Sequence, residues 1–294
     1  MKNKTAYFER PAEDDESDLP AKTGGGGAGE RLHKKLAEAG AGSRREMETA
    51  IAAGQVSVNG KIAEIGARCQ RGDRVRVQGH EIRLNWDIKE QMARVLLYHK
   101  PEGEIVSRDD PGGRISVFDQ LPRLRGQRWV AVGRLDVNTE GLLIFTTSGE
   151  LANHMMHPRY SMDREYAVRV LGGLTPAQIQ QLLAGIELDD GVAKATGVVI
   201  ASGDEEAANQ WYRLTLSEGR NREVRRLIEA LGLTVSRLIR VRFGPVSLPP
   251  RLRRGQYMEL DERAAAQLVE ACGLAKPGAP RPLKRSRAQA RRPG

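Results

Sequence analysis

Asp136 stands in the run Gly133-Arg134-Leu135-Asp136-Val137-Asn138-Thr139-Glu140-Gly141-Leu142-Leu143. Apolar, strand-like residues lead into Gly133 and leave at Leu142, so the carboxylate sits on a short polar loop between two strands. Loops of that kind hold reactive groups on a rigid scaffold. An aspartate there serves as a nucleophile or a proton acceptor. It also serves as a plain turn cap, and spacing alone favours the turn.

A second run is Glu218-Gly219-Arg220-Asn221-Arg222-Glu223-Val224-Arg225-Arg226-Leu227-Ile228. A glycine turn leads into a helix whose apolar face holds Val224, Leu227 and Ile228. Four arginines crowd its start, where the helix dipole disfavours cations. That placement asks for an acidic partner, either a phosphate or a carboxylate. A solvated charged face with Glu223 and Glu229 as partners reads equally well. Tyr166 lies on an alternating strand with Val168 and Val170, where a tyrosine is more often core than ligand contact. Tyr98-His99-Lys100-Pro101-Glu102-Gly103 reads as a strand running into a Pro/Gly turn. His154 and His157 share a spacing of three, but no third ligand accompanies them. No Gly-x-Ser-x-Gly elbow is present.

The elements that must position these residues fall into two groups. In residues 30–80, Leu32, Leu36 and Ala39 line one helical face, which Gly40 or Gly42 ends. Ser43 with Glu46 is a capping box that opens a second helix, closed by Gly54. Val56 and Val58 alternate into an Asn59-Gly60 hairpin turn, and Asp73 to Val77 is another strand. Residues 81–93 read as a linker. From Arg94 the pattern predicts strands near 94–99, 128–134, 142–147, 164–171, 211–217, 235–243 and 256–260. It predicts helices near 149–156, 176–184, 221–231 and 262–272. Short connections make the sheet mixed and mainly antiparallel, an α+β arrangement.

The chain has 294 residues with 47 Lys+Arg against 38 Asp+Glu, a net charge of +9. The surplus is uneven: residues 1–29 are acidic and Gly-rich, and 276–294 hold seven basic side chains and no acid. Both ends read as disordered tails. Residues 30–80 are basic, and the run from Arg220 to Arg254 holds ten arginines and two glutamates. Such a distribution suits a polyanion. Apolar runs reach four residues where a spanning helix needs about 20, so no membrane role is expected. The N-terminus has no apolar leader, and Cys69 and Cys272 build no disulfide framework or zinc spacing, so a cytoplasmic setting is expected.

These residues resemble a known family. Leu32, Leu36, Ser43-Arg44-Arg45, Val56-Ser57-Val58-Asn59-Gly60 and Asp73-Arg74-Val75 look like an S4 RNA-binding domain. Residues 94–260 resemble the ribosomal RNA pseudouridine synthases of the small-subunit synthase A type. Lys100-Pro101-Glu102-Gly103, Gly133-Arg134-Leu135-Asp136 and the run from Glu218 to Arg226 are similar to its three motifs, in the family's order. Three stretches look most like the large-subunit branch: Asp110 to Arg114, the third motif, and Val235 to Gly244 with Leu248-Pro249.

The resemblance implies a small N-terminal S4 domain, a linker, and a synthase domain over residues 94–275. It implies isomerisation of a uridine in large-subunit ribosomal RNA, or its assembly intermediates, by a monomer without cofactor or metal. Asp136 would be the essential carboxylate, paired with Arg225, and Tyr166 would stack on the target base and assist proton transfer. Arg134 would contact the backbone of a flipped-out nucleotide. Arg44 and Arg45, in the first turn of their helix, would hold phosphates. Lys100, Arg220 and Arg222 would also contact RNA. Two other readings stay open: a non-catalytic RNA-binding or ribosome-assembly protein, and a glycosidase-like hydrolase pairing Asp136 with Glu140 and releasing free uracil.

Overall fold

The computed structural model describes residues 29–84, 86, 93–202 and 209–274. The expected tails, apart from Gly29, and most of the expected linker lie outside them.

The small domain contains β1 (Glu30–Arg31), α1 (Leu32–Glu38), α2 (Arg44–Ala52), β2 (Val56–Val58), β3 (Lys61–Ile62), β4 (Arg68–Cys69), β5 (Val75–Val77) and β6 (His80–Ile82). Ser43 and Glu46 close the capping box, with Glu46 N donating to Ser43 Oγ at 3.1 Å and Ser43 N to Glu46 Oε2 at 2.7 Å. Asn59 and Gly60 both take positive φ (52° and 84°), the geometry that a two-residue hairpin demands and that this pair tolerates. The sheet order is β3-β2-β5-β6. β6 therefore extends the small sheet into the segment expected as linker, and Leu84 and Trp86 pack on the same core as Leu32, Leu36 and Ile51. The linker reading failed there because His80-Glu81-Ile82 is too short and polar to signal a strand.

The large domain contains β7 (Val95–Lys100), β8 (Val130–Val132), β9 (Glu140–Thr146), α3 (Gly149–Met156), β10 (Arg164–Leu171), α4 (Pro176–Ala184), β11 (Ile186–Leu188), β12 (Gly191–Ala193), β13 (Gly197–Ser202), β14 (Asn209–Leu216), α5 (Glu223–Ala230), β15 (Thr234–Phe243), β16 (Val246–Ser247), β17 (Tyr257–Glu259) and α6 (Glu262–Ala271). The main sheet runs β13-β14-β10-β15-β9-β7-β17, with β16 paired to β15 and β8 to β9. Only the β9–β15 pairing is parallel among these.

Both faces of the central strands are covered. Val95, Leu97, Leu142 and Ile144 pack with α3 and α6 residues such as Leu151, Met155 and Leu268. Leu96, Tyr98, Leu143 and Phe145 pack on the opposite side with Val117 and Trp129. This is why the sequence there is apolar at every position instead of alternating. A third cluster joins β10 and β14 to α4 and α5 through Val168, Val170, Leu182, Tyr212, Leu227 and Ile228. Among the described residues, no helix is long and apolar enough to cross a membrane.

Candidate active site

The Asp136 loop spans the gap between β8 and β9, and Thr139 N closes it on Asp136 O at 3.0 Å. Its far end is fixed by Gly141, whose φ is +108°. Gly141 lies opposite Arg240 in the parallel β9–β15 pair. A Cβ there would sit 2.6 Å from Arg240 N, so the strands approach this closely only around glycine.

Lys100 braces the same loop from below. Its Nζ donates to Pro101 O at 2.9 Å, Val137 O at 3.4 Å and Thr139 O at 2.9 Å. Gly103 N adds a bond to Val137 O at 2.9 Å. Lys100 is 0 % exposed, and burial pushes its ammonium down to about 8 against the pull of Glu104 and Asp136. The expected RNA contact at Lys100 is therefore corrected. Its three donors are spent on the carbonyl of Pro101 and on those of Val137 and Thr139, which follow Asp136 in the loop.

The loop opens onto a cavity of about 1070 Å³ lined by Arg134, Asp136, Tyr166, Arg222, Glu223 and Arg240 among others. That is the upper end of ligand-pocket volumes. Among the described residues, no hydrogen bond or ion pair engages the Asp136 carboxylate. Its neighbour Glu140 is the reverse case. Glu140 is buried, forked by Arg237 at 2.8 and 3.1 Å and held by Arg254 at 2.9 Å. A glycosidase-like pair of Asp136 and Glu140 loses its second carboxylate to this cluster.

Tyr166 is half-buried on β10, opposite Leu214 of β14 and Arg240 of β15. A register shift between Glu165 and Tyr166 breaks the ladder at that point. The extra residue is Val241 on β15, and Tyr166 lines the cavity wall.

The four arginines of the third motif separate in the structure. Arg220 donates to the backbone carbonyls of Asp190, Gly191 and Val192 (3.1, 2.9 and 2.7 Å) and to Glu218 (3.0 Å). It ties the start of α5 to the β11–β12 turn. The residue also borders the cavity. Arg226 forks onto Asp190 at 2.7 and 2.9 Å. The acidic partner these two needed is a turn carboxylate of the chain itself. Arg222 is exposed at the helix start, left-handed with φ +47°, and 3.7 Å from Glu229.

Arg225 donates to Asn138 O at 2.8 Å and Val235 O at 3.1 Å. It pins the Asp136 loop two residues beyond the carboxylate, and no ion pair within 4.0 Å joins it to Asp136. Asp136 is still close enough to favour its charge, against burial and Arg222, which lower its pKa. The two carbonyls take one N–H from each Nη, and the buried Nε has no partner among the described residues.

Glu223 is a second carboxyl in the cavity wall, on a helix start whose sequence reads equally well as a phosphate site or a solvated charged face. Its Oε2 accepts from Arg220 N at 3.0 Å and its Oε1 has no partner. Burial, with Glu218 beside it, pushes it up to about 7. The buried phase of α5 was the available signal, since Glu223 precedes buried Val224. Arg134 is exposed at the cavity and free of partners among the described residues, and Arg44 and Arg45 are exposed in the first turn of α2.

Comparison with known proteins bears on this geometry. Residues 94–230 match the family model described as RNA pseudouridylate synthase, and residues 30–87 match the S4 domain model. A Pseudomonas aeruginosa protein named ribosomal large subunit pseudouridine synthase B is 53 % identical over 264 residues, 90 % of this chain and 68 % of its own length. One of the same name from Yersinia pestis is 54 % identical over 244 residues, 82 % of this chain and 76 % of its own. A crystal structure titled pseudouridylate synthase superposes with a TM-score of 0.57 at 25 % identity, over 82 % of this chain and all of that one. The Pseudomonas and Yersinia proteins carry the large-subunit name, not that of the small-subunit synthase A type. With an unengaged aspartate at the mouth of a basic cavity and an S4 fold before it, the chain belongs to the RNA pseudouridylate synthase family.

Proposed function

We propose that this chain converts one specific uridine of large-subunit ribosomal RNA to pseudouridine, with Asp136 as the essential carboxylate and the target nucleotide flipped into the cavity. The observation that carries the reading is the Asp136 carboxylate, which lines the cavity without a protein partner among the described residues while its loop is braced by Lys100 and Arg225. The names of the similar proteins and the S4 match support the substrate class.

The reaction balances without a cofactor. The bond between N1 and C1′ breaks, the freed uracil turns, and a bond forms between C5 and C1′. One proton leaves C5 and one arrives at N1. Asp136 faces the sugar and base in this scheme. Tyr166 stacks on the base and passes protons. Arg134 and Arg222, both exposed at the cavity, hold the backbone of the extruded nucleotide. Arg44 and Arg45 grip structured RNA at a distance. The working form is a cytoplasmic monomer, on ribosomal RNA or an assembling particle.

The test uses the purified full chain and large-subunit RNA tritiated at C5 of uridine. The wild type releases tritium in step with pseudouridine. Asp136→Asn binds the RNA with unchanged affinity and releases none. Retained release would remove Asp136 from the reaction, and free uracil as product would replace isomerisation by hydrolysis.

A further inference from the structure

Strand β15 carries three arginines with different surroundings. Arg237 forks onto Glu140. Arg242 bonds Glu165 at 3.2 Å and lies 3.9 Å from Asp163. Arg240 is the most buried, 2 % exposed, and no ion pair reaches it among the described residues. Its Nε donates to Leu142 O at 2.9 Å, its guanidinium lies 5.0 Å from the Phe243 ring centroid, and its Nη2 has no partner. Its Cα partner across the β10–β15 ladder is Tyr166, and both residues line the cavity.

An interior cation without a carboxylate is expensive, because desolvation is repaid only by close counter-charge. Arginine does not escape by losing its proton. The bulge beside this pair lies on β15, where Val241 is the extra residue between Arg240 and Arg242. An uncompensated, preorganised charge of this kind is what stabilises negative charge that appears during a reaction.

We infer that Arg240 is a positioning residue that acts through Tyr166. It stabilises the phenolate that forms when Tyr166 gives its proton to N1, and that phenolate then takes the proton leaving C5, which regenerates the phenol. No net proton is gained or lost. The inference rests on the reading of Tyr166 as a proton-transfer group of the reacting site.

The test is a double-mutant cycle in the full-length protein on a large-subunit RNA fragment. It compares wild type, Arg240→Met, Tyr166→Phe and the double variant, with Arg240→Lys as the conservative change. Single-turnover rates at saturating RNA, RNA affinity and thermal melting are read for each. Arg240→Met slows the saturated rate about 10- to 100-fold, the loss expected for a hydrogen bond to a charged group. RNA affinity stays within about twofold, and Arg240→Lys recovers part of the rate. In the Tyr166→Phe background, Arg240→Met costs less than about threefold, because its route of action is already gone. Equal losses in both backgrounds, a loss confined to RNA affinity, or wild-type turnover by Tyr166→Phe would each overturn the inference. If Arg240→Met does not fold, Arg240→Lys takes its place in the cycle. Failure of the Asp136 reading shows separately, as turnover by Asp136→Asn.

Discussion

Lys100→Met tests whether the brace under the Asp136 loop governs catalysis apart from folding. The ammonium makes two carbonyl bonds of 2.9 Å and one of 3.4 Å. Charged hydrogen bonds of the shorter kind are worth about 1.5–3 kcal/mol each, so losing them costs about 3–6 kcal/mol. Against that, the buried ammonium is pushed from 10.5 to about 8, and holding it charged at pH 7 costs about 3 kcal/mol. Methionine removes that penalty and fills similar space. The net loss of stability is about 0–3 kcal/mol, at most about a 10 °C fall in melting temperature. Catalysis has no such compensation. With Val137 and Thr139 released, Asp136 is no longer held to within a fraction of an ångström, and a displacement of about 1 Å costs on the order of 100-fold in rate. Paired melting and single-turnover measurements should show a folded, RNA-binding, slow enzyme. The linkage has a definite sign. The folded pKa lies below the unfolded one, so the unfolded chain binds more protons between pH 8 and 10.5. Wild-type stability relative to Lys100→Met therefore rises with pH across that window. A wild-type rate in Lys100→Met, or a loss of RNA affinity with the saturated rate intact, would refute the reasoning and return Lys100 to the RNA.

Three further outcomes are expected. Glu223, raised to about 7 by burial, contributes stability present below pH 4.5 and lost as pH rises through 7. Glu223→Gln should therefore gain on the wild type between those values in denaturant titrations, and a flat difference would contradict this. Gly141→Ala places a methyl group against the Arg240 backbone at a φ of +108°, so it should cost at least about 3 kcal/mol or abolish folding, read by chemical denaturation. Arg44→Ala with Arg45→Ala should weaken RNA binding and flatten its salt dependence by about one to two counterions, with the saturated rate unchanged.

The parts of the fold that were legible are those whose local chemistry agrees with their environment. α3, α4 and β10 begin and end where capping and alternation place them, with Ser148, Thr175 and Asp261 capping α3, α4 and α6. β11, β12 and β13 were not read. The first two are three residues each around an Asp-Gly turn, and β13 is an edge strand with Val199 and Ile200 exposed. In the site, the family resemblance pointed to Asp136, Arg134, Tyr166 and Arg222, which share one cavity. Lys100, Arg220 and Arg225 turn to backbone carbonyls of the chain itself, for one physical reason. A long basic side chain satisfies backbone carbonyls as readily as phosphate, and only the folded loops reveal which. Arg240 was hidden among ten arginines, because burial without a counter-ion leaves no mark in sequence.

The central claim is that Asp136 drives isomerisation of a uridine in large-subunit ribosomal RNA. The direct measurement is a nucleotide-resolution pseudouridine map of ribosomal RNA from cells lacking this gene, complemented with wild type or Asp136→Asn. One large-subunit position is predicted to lose pseudouridine with the gene, regain it with the wild type, and stay uridine with Asp136→Asn. Restoration by Asp136→Asn, or a lost position confined to the small subunit, would contradict it.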